Sequence, residues 1–186
     1  MRKRVFLAFP VPLAVRRYLA GIAEELERRC APDEVVRWVG EDGLHVTTHF
    51  LGEQEEQGIL SIKKSCEELV GKYAAVTVTL TAIDAFPSAD LPRVIIVPLC
   101  EDDGFVLRRL QNALGKNLEQ SGIDVDHRLW TPHITLGRVK TAIEGRKLKI
   151  PVEPRSFNIE QLELIESRLT DDGALYTPLA VYKLST

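Results

Sequence analysis

Residues 45–52 read HVTTHFLG, and two of the chain's four histidines fall within them. A second stretch, HITLGRV at residues 133–139, opens in the same way. Each begins with histidine, a β-branched residue and threonine. Side chains alternate along a strand, so His45 shares a face with Thr47, and His133 with Thr135, while Val46 and Ile134 turn toward the core. A single triplet of this kind describes a polar strand face in solvent as well as it describes a site. Two copies, each in a strand and each opening a similar strand–helix segment, point to two related lobes facing across a cleft.

The surrounding pattern supports an alternation of short strands and longer helices. Strands are predicted at 5–9, 35–39, 44–52, 74–86, 93–99, 130–139, 155–167 and 173–184, from β-branched and alternating runs. Amphipathic helices are predicted at 13–29, 55–71 and about 103–121. SGID (residues 121–124) turns the chain, and the basic run RKLKI (residues 146–150) reads as a solvated loop face. The amino-terminal RKRVFLAFPVPLAV imitates a signal peptide, but Pro10 and Pro12 interrupt it and Arg16 and Arg17 follow without a small-residue cleavage site. No apolar run is long enough to cross a bilayer.

With 186 residues, 45% of them hydrophobic and 27% charged, the composition is that of an ordinary globular protein able to bury a real core. The formal net charge of −3 argues against a broad nucleic-acid-binding surface, although it leaves room for a locally basic cleft. Cys30, Cys66 and Cys100 are odd in number and widely spaced, which disfavours disulfides and zinc sites and favours a reducing cytoplasm.

Two histidines from opposite lobes suit in-line attack on a phosphodiester. The nucleophile enters on one side of phosphorus and the leaving oxygen departs on the other, so a base and an acid are needed on opposite sides. An imidazole with an ordinary pKa of about 6.5 serves in either role. Threonine hydroxyls two residues along can donate to the non-bridging oxygens, where charge gathers in the transition state. This chemistry calls for no metal and no cofactor.

These motifs, together with RVFLAF near the start, RWV before the first motif, PRVIIV in mid-chain, and WTPHITLGR and LIESRLTDDGALYTPL later, occur in the order seen in a known family. The sequence resembles the two-histidine phosphoesterases, and within them the RNA 2′,3′-cyclic phosphodiesterases, also called 2′-5′ RNA ligases. The resemblance runs from about residue 2 to residue 184. It implies a single bilobal α+β domain over residues 1–186, with two antiparallel sheets lining a central cleft, helices outside, and a pseudo-twofold duplication. It implies opening of an RNA 2′,3′-cyclic phosphate to a 2′-phosphate, with His45 as proton donor and His133 as proton acceptor. Thr47, Thr135 and Arg138 correspond to the residues that hold the substrate phosphate. Strict alternation, however, sets Arg138 on the face opposite His133 and Thr135.

The chain departs from the family where relatives have a hydrophobic and then a basic residue after the first motif. Thr48 and His49 stand there instead. Alternation puts His49 on the face of His45, about 13 Å farther along, at the cleft rim. It turns Phe50 away into the core. Trp130, Phe86 and Arg128 are candidate RNA contacts, the first two by stacking and the third through a phosphate. Trp38, Arg37 and Arg93 could also face the RNA, and His127 reads as an exposed loop residue. The expected partner is an RNA with a 2′,3′-cyclic phosphate end, with no membrane, a cytoplasmic location and a monomer as the default. Three other readings stay open: an enzyme of small cyclic nucleotides or of the reverse ligation, a non-catalytic RNA-end binder, and a metal site using His45 and His49. The last suffers because i, i+4 spacing separates residues on a strand.

Overall fold

The computed structural model describes residues 2–101, 104–170 and 173–185. Ten strands and three α-helices succeed one another: β1 (Lys3–Pro10), α1 (Leu13–Arg29), β2 (Val36–Trp38), β3 (His45–Gln54), α2 (Glu56–Leu69), β4 (Val76–Leu80), β5 (Asp84–Ser88), β6 (Leu91–Glu101), α3 (Val106–Gln120), β7 (His133–Val139), β8 (Ser156–Ile159), β9 (Gln161–Thr170) and β10 (Gly173–Lys183). The first sheet has the order β10-β9-β1-β3, and the second β2-β7-β6-β4-β8 with β5 also paired to β6. Every strand pairing within them is antiparallel. The expected two-sheet α+β architecture is therefore present.

Burial explains the arrangement. In β1, Val5, Leu7 and Phe9 join a core cluster that also holds Ile95 and Val97 of β6 and Ile134 and Leu136 of β7, so the two sheets share one apolar interior. Phe6 and Ala8 point the other way, into a smaller cluster with Ile165 and Tyr176. The central strand is thus buried on both faces. Helix α1 keeps Val15, Leu19, Ile22, Ala23 and Leu26 inward, the stripe expected of a 3.6-residue period. Helices α2 and α3 pack on one another, and both reach β3.

Three expectations change. The alternating run 74–86 is two strands, because the chain bends at residues 81–83 to run along the long β6. Thr81 marks the bend, giving both its N–H and its hydroxyl to the Pro98 carbonyl. The run 155–167 also divides, at Glu160: β8 joins the second sheet and β9 the first. The RKLKI segment is a 3-10 turn over Gly145–Leu148 with Leu148 and Ile150 buried, so it is no mere solvated face. The second motif strand therefore leads into a short turn, where the first leads into the helix α2.

The two motif strands share one register. Pro10, Phe9 and Ala8 oppose His45, Val46 and Thr47, and Pro98, Val97 and Ile96 oppose His133, Ile134 and Thr135. One residue is then extra in each: Thr48 in β3 and Leu136 in β7. Pairing resumes at His49 with Leu7 and at Gly137 with Ile95. The duplication therefore extends to a matched β-bulge, which leaves two successive residues facing inward.

Gly137 sits under the ring of Trp38, its register partner on β2. A Cβ there would lie 2.8 Å from that ring and from Val36. Gly137→Ala should lower stability by about 1–3 kcal/mol, the scale for overpacking. A urea titration checks this, and an unchanged midpoint would mean that β2 is not held against β7 as described.

Candidate active site

The bulge decides which side chains reach the cleft. His45, Thr47, His133 and Thr135 precede it and are half-buried, and His45 lines the cavity. Beyond it the alternation inverts. His49 turns into the core and is 3% exposed, against the expectation that it lines the cleft rim. Phe50, expected in the core, is 58% exposed and lines the cleft instead. Arg138 occupies the position of Phe50 in the second copy, and the same inversion brings it to the cavity that His45 lines. The conflict between alternation and the family role of Arg138 is removed by one inserted residue.

His49 is held in a directional chain of hydrogen bonds. The Thr48 hydroxyl donates to the Leu7 carbonyl at 3.2 Å, so its oxygen accepts from His49 Nδ1–H at 3.3 Å. That leaves His49 Nε2 to accept from the Gln111 amide at 3.3 Å on α3. Gly115 makes room for the ring, since a Cβ there would lie 3.2 Å from Nε2. Burial pushes the His49 pKa down to about 4.

The two motif histidines differ in their surroundings. His133 Nδ1 lies 2.7 Å from the Thr131 carbonyl, which can only accept, so Nδ1 carries the proton and Nε2 is left free. For His45 the Gly43 backbone, two residues back, favours the protonated ring in the same sense. The Phe6 ring stacks on His45 at 4.8 Å, and Tyr176 meets it edge-on at 5.4 Å. Phe86 meets His133 edge-on at 5.1 Å. Burial and the neighbouring His133 push the His45 pKa down to about 4, opposed by the Gly43 hydrogen bond. Burial also lowers His133, and the Arg138 charge adds to this. The imidazoles thus sense one another across the lobes. The hydroxyls of Thr47 and Thr135 have no hydrogen-bond partner within the described chain and are free to donate.

A cavity of about 600 Å³ opens beside this pair. It is lined by His45 but not by His133. Arg4, Arg37, Arg138 and Lys140 line it, together with Phe6, Phe50 and Tyr176. Its one carboxylate, Asp42, is turned to Arg16 at 2.9 Å. An acidic protein thus concentrates positive charge at one place.

Other candidates lie elsewhere. Trp130 packs against the core and donates its indole N–H to the Thr47 carbonyl at 2.9 Å, tying the loop before β7 to the first motif strand. Arg128 is exposed, away from the cavity, and paired with Asp126 through Nε at 2.9 Å. Arg93 is exposed and off the cavity too. His127 is exposed beside Glu119. Sequence reasoning missed Arg4, Phe6, Lys140 and Tyr176. Alternation in KRVFLAF sets Arg4 and Phe6 on one face, which was a usable signal. Nothing local to Tyr176 points at His45.

Among the described residues no group of three His, Cys, Asp or Glu side chains forms a metal-binding cluster, and no helix is long and apolar enough to cross a membrane.

A duplicated α+β fold that presents one His-x-Thr strand from each sheet to a basic cleft defines the two-histidine phosphoesterase class. A model of the 2′-5′ RNA ligase superfamily matches residues 10–171, and the chain belongs to that superfamily. It is 29% identical over 179 residues to the RNA 2′,3′-cyclic phosphodiesterase of Thermotoga maritima, covering 95% of this chain and 92% of that one. It is 26% identical over 190 residues to the protein of the same name from Methanothermobacter thermautotrophicus, covering 99% and 100%. Among solved structures, Escherichia coli LigT complexed with 3′-AMP superposes with a TM-score of 0.79 at 24% identity, covering all of both chains, and so shares the fold.

His49 supplies a pH test. Its folded pKa, about 4, lies below the unfolded value near 6.5, so folding favours the neutral ring. Its contribution is complete above pH 6.5 and is lost as pH falls toward 4, at most roughly 3 kcal/mol. His49→Gln should flatten that part of the stability–pH curve, measured by urea unfolding at pH 4.5 and 7.5. An unchanged slope would contradict a buried neutral ring.

Proposed function

We propose that this protein is an RNA 2′,3′-cyclic phosphodiesterase in which His45 is the general acid and His133 the general base. The observation that carries the assignment of roles is the one-sided cavity. In a 2′,3′-cyclic phosphate both O2′ and O3′ belong to the same ribose, so the nucleoside lies on the leaving-oxygen side. The water enters from the opposite side. The cavity of about 600 Å³ that His45 lines is large enough for a nucleoside.

In this reading His133 Nε2 takes a proton from water as its oxygen bonds to phosphorus. The P–O3′ bond breaks, and His45 Nε2–H gives its proton to O3′. The product is a 2′-phosphate beside a 3′-hydroxyl. Thr47 and Thr135 donate to the non-bridging oxygens, and Arg138 adds a charge-assisted hydrogen bond there. The Arg138 charge also keeps His133 neutral, as a base must be. The Phe6 and Tyr176 rings around His45 attract an imidazolium once a bound phosphate favours protonation. The relatives named RNA 2′,3′-cyclic phosphodiesterase in Thermotoga maritima and Methanothermobacter thermautotrophicus support the substrate. Three unpaired thiols, Cys30, Cys66 and Cys100, suit a reducing cytoplasm.

The decisive assay uses a short RNA ending in a 2′,3′-cyclic phosphate, in excess EDTA. Wild type should yield the 2′-phosphate, and His45→Ala or His133→Ala should each lose about 10² to 10⁴-fold in turnover. The double variant should lose far less than the product of the two. Thr47→Ala and Thr135→Ala should each cost only about 1.5–3 kcal/mol of transition-state binding. Activity surviving in both histidine variants would overturn the assignment.

The pH profile gives a second check. Catalysis needs one imidazole protonated and the other neutral, so kcat/KM peaks between the two free-enzyme pKa values. Both are lowered, His45 to about 4, so this optimum should fall below pH 6.5. Bound phosphate, an anion, raises both values, so the kcat optimum should lie at higher pH. The reverse order of the two optima would refute the pair as drawn.

A further inference from the structure

The cavity holds more positive charge than one cyclic phosphate requires. Arg37 and Arg138 are register partners on neighbouring strands, and both side chains reach the cavity. Like charges directly opposite one another destabilise a sheet unless an anion lies between them. Lys140, in the bend just past the end of β7, lines the cavity as well. At or near the cavity Arg16 is paired with Asp42, and farther off Lys3 is paired with Glu166 and Lys147 with Glu34. Arg37, Arg138 and Lys140 have no such partner among the described residues. The cavity is also lined by Phe50, whose ring lies 6.2 Å from Phe6 and is open to solvent on its other side. A set of unpaired cations together with an exposed aromatic ring is the arrangement that single-stranded nucleic acid fits, backbone on the charges and base on the ring.

We propose, building on the assigned reaction, that this wall is a second nucleotide subsite. Arg37 and Lys140 hold the phosphodiester on the 5′ side of the terminal nucleotide, and Phe50 stacks the base of the nucleotide before it. The substrate class is then an RNA strand of two nucleotides or more, in preference to a mononucleoside cyclic phosphate. Phe50 and Arg138 occupy equivalent places in the two motifs, and the bulge gives one copy the base and the other the phosphate.

Calorimetric titration of the whole protein with two unreactive products tests this: a nucleoside 2′-phosphate, and a dinucleotide ending in a 2′-phosphate. Wild type should bind the dinucleotide about tenfold tighter or more, the scale of an added charge-assisted contact. The double variant Arg37→Gln, Lys140→Gln should reduce that ratio severalfold. It should also reduce the salt dependence of dinucleotide binding by about 0.7 in logarithmic slope, as expected for one phosphate lost. Phe50→Ala, a separate variant on the other lobe, should reduce the ratio about fivefold or more. A wild-type ratio near one, equal weakening of both ligands in the variants, or no binding of either ligand overturns the subsite. Neither ligand turns over, so a protein inactive on cyclic phosphates, which refutes the assigned reaction, leaves this comparison decisive.

Discussion

One inserted residue in each motif strand governs the site. Without Thr48 and Leu136 as bulges, strict pleating would put His49 in the cleft and send Phe50 and Arg138 to the far side. With them, one strand supplies an imidazole and a hydroxyl before the bulge and a different side chain to the same cleft after it. The inward pair created by each bulge is accommodated differently. In β7 it is Leu136 and Gly137, packed in the core and under Trp38. In β3 it is Thr48 and His49, and burying two polar side chains requires the hydrogen-bond chain through Leu7 and Gln111. The departure from the family pattern at residues 48 and 49 is thus a matter of core packing beneath the cleft.

Electrostatics and burial act together at the cleft. Enclosing the two imidazoles favours their neutral forms, and the Arg138 charge pushes His133 further the same way. In the proposed reaction a phosphate arriving between them would reverse that balance, because its charge stabilises whichever ring takes a proton. On that proposal the substrate itself completes the acid. The unpaired Arg37, Arg138 and Lys140 add positive charge on the same cavity.

Much of this was legible in the sequence. The stripe at 13–29 became α1 with the same limits, and Val46 and Ile134 are buried as alternation expects while their neighbours in each triplet are half-buried. What misled was the assumption of unbroken alternation. It failed at Thr48 and Leu136 and inverted the expected places of His49 and Phe50. A glycine inside a strand marks a bulge or a close approach, so Gly137 carried the clue in one copy; Thr48 in the other had none. The runs 74–86 and 155–167 alternate without interruption, yet each serves two strands. Their breaks are set by partners distant in sequence, Pro98 for the first and β1 for the second. Tyr176 reaches His45 from β10 by tertiary structure alone.

The passage of the chain between sheets at Glu160 has a consequence during synthesis. The first sheet is made from the two ends of the chain, with β1 and β3 early and β9 and β10 late, and Val5 pairs with Glu166. On the ribosome, β1 can pair with β3 as soon as both have emerged, but its other edge stays bare until β9 has been made. Such an edge is a template for unwanted pairing. The aromatic enclosure of His45 closes only when β10 brings Tyr176 to it, so the candidate site is among the last features to form, and a truncated nascent chain carries both motifs without it.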